Sequence, residues 1–108
     1  MRFDKSCRNL YTRFENGTTV LIAEAANMNQ LSDSRTTLDD FIGNEDGYFK
    51  MPGRGFTRTA QNIALEYSEH GPKLSAEMRR EDGEWRERQG ILLADKLENE
   101  EGHLDPIF

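Results

Sequence analysis

The dipeptide Asn16-Gly17 stands between two runs rich in β-branched and aromatic residues, Leu10-Tyr11-Thr12-Arg13-Phe14 and Thr19-Val20-Leu21-Ile22-Ala23. Asn-Gly supplies the two left-handed residues of a type I′ turn, so the segment predicts a β-hairpin with Phe14 opposite Thr19 and Thr12 opposite Leu21. That register puts Leu10, Phe14 and Leu21 on one face and Tyr11, Val20 and Ile22 on the other. Apolar residues on both faces imply a sheet covered on both sides, by helices of the same chain or by a partner, a second copy included.

Ala25 to Arg35 is rich in Asn, Gln, Ser and Asp, which compete for backbone hydrogen bonds, and reads as a loop. Thr36 to Gly43 reads as a short helix with Asp39 and Asp40 in its first turn, and Asn44-Glu45-Asp46-Gly47 as a turn. Past the glycine-rich bend Met51 to Phe56, Ala60, Ile63, Ala64 and Tyr67 fall at i, i+3, i+4 and i+7. This spacing predicts the main amphipathic helix, starting near Thr57 or Thr59 and stopped by Gly71-Pro72. Leu74, Ala76 and Met78 then alternate with polar residues, and Asp82-Gly83 signals a turn, giving a second, bulged hairpin that returns through Trp85. The same stretch also reads as helix, with Trp85, Gln89, Leu92, Leu93 and Lys96 on one face. No internal repeat is seen. The fold class expected is α+β: a small antiparallel sheet made of two hairpins, packed by one main amphipathic helix and a short helix. It forms a single domain over residues 1–108, with a charged, mobile segment at 98–108.

Charge bounds the partners. With 14 Lys and Arg against 20 Asp and Glu, the net charge of −6 disfavours bulk attraction to nucleic acid or an anionic membrane and favours a basic partner. The longest apolar run, Thr19 to Ala23, is too short to span a bilayer, no apolar segment follows the charged N-terminus, and Cys7 is the only cysteine. The expected location is the cytoplasm, that of the host cell if the chain is phage-encoded.

No catalytic set can be assembled. His70 reads as a helix-terminal residue, His103 as solvated and Cys7 as a half-buried thiol, so no nucleophile, base and orienting group can be named together. One Cys and two distant His exclude a structural zinc site, no calcium loop is present, and no cofactor motif is found. Binding residues are the remaining candidates. Tyr48 to Arg58 interleaves aromatics with Lys50, Arg54 and Arg58 and contains no acid, which suits an anion or a protein interface. Asp39, Asp40, Glu98, Glu100 and Glu101 suit a basic surface.

Glu15-Asn16-Gly17 in a hairpin, Thr37-Leu38 with Phe41 and Gly43, and Pro52-Gly53-Arg54-Gly55 leading into a helix with Arg58, Asn62 and Glu66 form a recognisable order. Over residues 14 to 68 it resembles the small phage anti-CRISPR proteins that block type I-F surveillance complexes. The resemblance implies helices on an antiparallel sheet, no enzymatic activity, and inhibition by occluding a nucleic-acid-binding surface. The expected function is therefore a small acidic phage or mobile-element inhibitor whose partner is a protein or ribonucleoprotein complex with a basic surface. The alternatives are an immunity protein or antitoxin neutralising a basic nuclease toxin, and a small nucleic-acid-binding protein using Tyr48 to Arg58.

Overall fold

The computed structural model describes residues 7–27, 30–100 and 102–107. The Asn16-Gly17 hairpin is present as β1 (Cys7–Glu15) and β2 (Thr18–Asn27), with Phe14 paired to Thr19 and Thr12 to Leu21. Strand β3 (Gln30–Thr37) joins β2 to complete a three-stranded antiparallel sheet. A 3₁₀ turn at Leu38–Asp40 leads to a small hairpin, β4 (Gly43–Glu45) and β5 (Tyr48–Lys50). After a second 3₁₀ turn at Phe56–Thr59 the same order recurs. Strands β6 (Ala60–Ser68), β7 (Gly71–Met78) and β8 (Gln89–Leu92) form a three-stranded sheet, Leu93–Asp95 a 3₁₀ turn, and β9 (Leu97–Glu100) with β10 (His103–Pro106) a closing hairpin.

The chain is thus two copies of one unit, and the copies are interleaved. The β4–β5 hairpin of the first packs on β8 of the second, and β10 of the second packs on β3 of the first. Matching positions share one core: Leu21 with Leu74, Leu38 with Leu93 and Ile42 with Leu97, all fully buried. Neither half buries its apolar face alone, since the covering hairpin comes from the other. Phe56, fully buried where the chain crosses between the halves, packs edge-on against Phe49 with centroids 5.5 Å apart.

The repeat extends to irregular features. β1 and β6 each carry a bulge at an asparagine in the left-handed region, Asn9 (φ 55°) and Asn62 (φ 53°). Asn9 Nδ2 donates to Glu24 Oε1 at 2.6 Å, and Asn62 Nδ2 to Glu77 Oε1 at 3.1 Å. The Asn9 hydrogen bond, with the Arg8 guanidinium beside it, holds the Glu24 carboxyl below its usual value despite some opposing desolvation. A group depressed in the folded state stabilises above its unfolded pKa, about 4.3, and loses that contribution as pH falls through the folded value. Replacement by Gln at Glu24 is therefore expected to flatten part of the acid limb of a stability–pH curve, read by urea unfolding between neutral and low pH.

These observations correct the α+β expectation. Among the described residues there is no main helix: residues 60–68 form β6, and the turn at Ser68 to Gly71 leads into β7 instead of ending a helix. The Asn62 bulge explains the misleading pattern. An extra residue in a strand turns a step of two into a step of three, so the core-facing Ala60, Ile63 and Leu65 no longer alternate and Ala60 with Ile63 mimics a helical repeat. The short helix shrinks to three 3₁₀ residues because Thr36 and Thr37 are committed to β3. Residues 25 to 35 contribute strand on both sides of positions 28 and 29. Along β3, Ser34 and Thr36 are buried beside Ala23 and Leu21, so small hydroxyl residues occupy the inward positions that hydrophobic ones usually mark.

Candidate functional site

The β4–β5 hairpin turns at Asp46-Gly47, whose φ values of 50° and 89° suit a tight two-residue turn. Asn44 organises it from inside. Its Oδ1 accepts the Gly47 N–H at 2.7 Å, while Nδ2 donates to Thr59 Oγ1 at 2.8 Å and to the Arg79 carbonyl at 2.9 Å. One side chain thereby joins the hairpin to the crossover turn and to the end of β7. Asn99 does the same in the second hairpin, with Oδ1 accepting from Gly102 N–H at 2.8 Å and Nδ2 donating to the Ala26 carbonyl at 3.0 Å.

The loop after β7 folds over the first hairpin. Its turn closes through Arg80 N–H to the Glu84 carbonyl (2.7 Å), and Arg79 bridges to Trp85, as the bulged-hairpin reading expects at Asp82-Gly83. Asp46 Oδ1 accepts the Glu81 N–H at 2.9 Å. Arg86 donates from Nε to the Asp46 carbonyl at 3.1 Å, approaches Asp46 Oδ2 at 3.8 Å, and stacks 4.0 Å above the Tyr48 ring. Arg79 lies 5.0 Å from the Trp85 centroid, and Arg80 pairs with Asp82 at 2.9 Å.

Between hairpin tip and loop lies a cleft of about 230 Å³ lined by Asn44, Asp46, Thr59, Arg79, Arg80 and Glu81. It offers an amide, a hydroxyl, guanidinium groups and carboxylates, most already tied into neighbours, and no cysteine or histidine. Among the described residues no cluster suited to a metal ion exists. Fixed donors and acceptors of both kinds suit the recognition of a ligand rich in hydroxyls, which themselves donate and accept.

The residues nominated from sequence lie mostly elsewhere. Asp39 is buried, and its carboxylate accepts hydrogen bonds from Thr19 N–H, Thr57 N–H and Thr57 Oγ1, so its role is internal. Asp40 and Arg54 share a shallow depression with Phe41, Pro52 and Gly53. Lys50 faces Glu45 at 3.8 Å across the small hairpin, and Arg58 is exposed on the crossover turn. Glu98 and Glu100 sit on β9, and Glu101 lies outside the described residues. Of the Tyr48 to Arg58 segment only Tyr48 approaches the cleft, as the platform under Arg86. Asn44, Asp46, Thr59, Arg79, Arg80, Glu81 and Arg86 were missed. A sequence signal existed for Asn44 alone, in the recurrence of Leu38-x-Asp40-x-x-x-Asn44-x-x-Gly47 as Leu93-x-Asp95-x-x-x-Asn99-x-x-Gly102.

Known proteins match the chain along its whole length. The family model described as the CVNH domain matches residues 3–105. A cyanovirin-N homolog of Tuber borchii is 35% identical over 105 residues, covering 96% of this chain and 97% of that protein. Among solved structures, the CVNH protein of Neurospora crassa matches with a TM-score of 0.86 at 28% identity over the whole of both chains. Microvirin, solved as a complex with mannobiose, matches with a TM-score of 0.81 at 27% identity over 97% of each chain. These full-length matches overturn the resemblance to phage anti-CRISPR proteins. That resemblance covered residues 14 to 68 only and placed a helix where β6 runs.

Proposed function

We propose that this chain, which belongs to the CVNH domain family, is a lectin that binds oligosaccharide in the cleft between the β4–β5 hairpin and the loop over residues 79–86. CVNH domains are carbohydrate-binding and non-catalytic, and the chain is not an enzyme. The observation that carries the choice of site is the convergence of Asn44, Asp46, Thr59, Arg79, Arg80 and Glu81 on one cleft, held by hydrogen bonds between hairpin and loop. The mannobiose complex of microvirin, a relative sharing the fold from end to end, supports a sugar as ligand. Family membership replaces the inhibitor reading in full: the partner is carbohydrate and not a protein or ribonucleoprotein with a basic surface. The immunity-protein, antitoxin and nucleic-acid readings, and a phage origin, lose their support as well.

Titration of the isotopically labelled chain with mannobiose, and separately with a tetramer of N-acetylglucosamine, tests the proposal. At least one sugar is expected to perturb the amide signals of Asn44, Asp46 and Arg79 to Glu81. Arg80→Ala is expected to weaken that binding about tenfold, the loss of roughly one charge-assisted hydrogen bond. Perturbations confined to other parts of the surface, or no binding of either sugar, would remove the site.

A further inference from the structure

We propose, resting on the lectin reading, that Glu81 sets the specificity of the hairpin-tip cleft: its carboxylate accepts hydrogen bonds from two adjacent hydroxyl groups of one pyranose unit. Most other polar side chains of that cleft serve its frame. Asn44 spends its oxygen on the Gly47 N–H and its amide nitrogen on Thr59 Oγ1 and the Arg79 carbonyl. Thr59 Oγ1 in turn donates to the Phe56 carbonyl at 3.4 Å. Asp46 is engaged at both oxygens, Oδ1 by the Glu81 N–H at 2.9 Å and Oδ2 by the Arg86 guanidinium at 3.8 Å. Arg79 lies against the Trp85 ring, and Arg80 spends one nitrogen on Asp82. Glu81 differs from all of these. It lines the cleft and is exposed, and among the described residues its carboxylate has neither a hydrogen bond nor an ion pair.

An ionised carboxylate only accepts hydrogen bonds, and its two oxygens together offer about four lone-pair sites. Ligand hydroxyls must therefore donate to it, and two of them on neighbouring ring carbons lie close enough to engage both oxygens at once. Charge-assisted bonds of this kind are about twice as strong as neutral ones, so the contact discriminates. A unit with that hydroxyl pair blocked loses the bonds, and one with an acid in its place is repelled. The backbone that carries the side chain is held at three points: Glu81 N–H by Asp46, Arg80 N–H by the Glu84 carbonyl and Gly83 N–H by the Arg80 carbonyl. Binding therefore has little main chain left to order. Arg80, on the same cleft, keeps N–H donors beyond the one spent on Asp82, and a hydroxyl that donates to Glu81 can still accept from it.

The test titrates the labelled full chain with the tighter-binding of mannobiose and the N-acetylglucosamine tetramer, and with copies of that sugar carrying fluorine in place of one hydroxyl of the terminal unit. Fluorine cannot donate a hydrogen bond. Two analogues altered at neighbouring positions should bind at least about tenfold more weakly than the parent sugar. In Glu81→Ala the parent should fall at least as far and those two analogues should lose nothing more, the non-additivity of a shared contact. Glu81→Gln, which keeps one oxygen as an acceptor, should lie between. Both variants retain the N–H at position 81 that Asp46 holds, so unchanged quenching of Trp85 fluorescence shows that the loop keeps its place. Full affinity of Glu81→Ala for the parent sugar, equal analogue losses in wild type and Glu81→Ala, or losses at positions that are not neighbours would each overturn the proposal and leave the lectin reading standing. Binding of neither sugar by the wild type would overturn both.

Discussion

Replacing Asp39 by Ala is expected to lower stability by about 3–5 kcal/mol, the largest loss from any polar substitution in the chain. The side chain is 6% exposed. Oδ1 accepts the Thr19 N–H at 2.8 Å and Thr57 Oγ1 at 2.6 Å, and Oδ2 accepts the Thr57 N–H at 3.0 Å. Thr19 lies at the start of β2 and Thr57 in the crossover turn, so one carboxylate ties the first sheet to the peptide that enters the second half. Its removal strands two buried N–H groups, each costing about 1–3 kcal/mol, and leaves a space where the carboxylate stood. Thr57 Oγ1 keeps a partner in Thr19 Oγ1 at 2.7 Å, which limits the damage. Asp39→Asn should recover only part of the loss: its carbonyl oxygen can keep the two Oδ1 bonds, while its amide nitrogen would face the Thr57 N–H, a donor opposite a donor. In a domain of this size the loss corresponds to a fall in Tm of about 10–20 °C, measurable by calorimetry. A fall of only one or two degrees would show that the three bonds are dispensable. The matching position in the second copy is Ala94, fully buried, so the carboxylate serves the crossover, a connection that the repeat has only once.

That single crossover also explains what could be seen in the sequence. Local pairing was legible at two turns, whereas Gly71, which closes the β6–β7 hairpin, was read as a helix stop. Asn16-Gly17 set the register of β1 and β2, and Asp82-Gly83 marked the turn that brings Glu84 opposite Arg80. Alternation in Leu74, Ala76 and Met78 likewise matched a strand with those three residues buried. Residues 60–68 were illegible because the bulge at Asn62 breaks period two, and β3 because Ser34 and Thr36 replace hydrophobic residues on the inward face. The repeat escaped notice because few side chains survive in both copies. Leu38 and Leu93 fill the core, Asn44 and Asn99 staple the hairpins, and Gly47 and Gly102 take positive φ. Sheet positions between them need only be apolar or small, so they drift apart. The site was hidden for the same reason. Its residues come from the hairpin, the crossover turn and the loop after β7, and become neighbours only when the two copies interleave.

Gly47→Ala is expected to weaken sugar binding about a hundredfold while costing less stability than the loss of Asp39. Gly47 has φ of 89°, where a side chain is strained by roughly 1–2 kcal/mol. A Cβ there would also lie 2.8 Å from both Cβ and Nε of Arg86. Arg86 Cβ is fixed to the backbone, so rotating the side chain cannot relieve the clash and the loop itself must shift. Such a shift breaks the Arg86 hydrogen bond to the Asp46 carbonyl and the stack on Tyr48, and pulls Glu81 N–H away from Asp46 Oδ1. Arg80 and Glu81 would then no longer face Asn44 and Asp46 across a fixed distance. A penalty of about 2–3 kcal/mol from strain and lost preorganisation converts to the hundredfold loss. Arg86→Ala removes the stack without the backbone strain and should lie between the wild type and Gly47→Ala, with Arg86→Lys recovering little because an ammonium lacks the planar face that stacks. Trp85, the only tryptophan, adjoins Arg86 and is 39% exposed, so its fluorescence reports the loop directly. Acrylamide quenching should rise in both Gly47→Ala and Arg86→Ala without any sugar present. Unchanged quenching together with unchanged mannobiose affinity would mean that the loop holds its place without the Arg86 contacts.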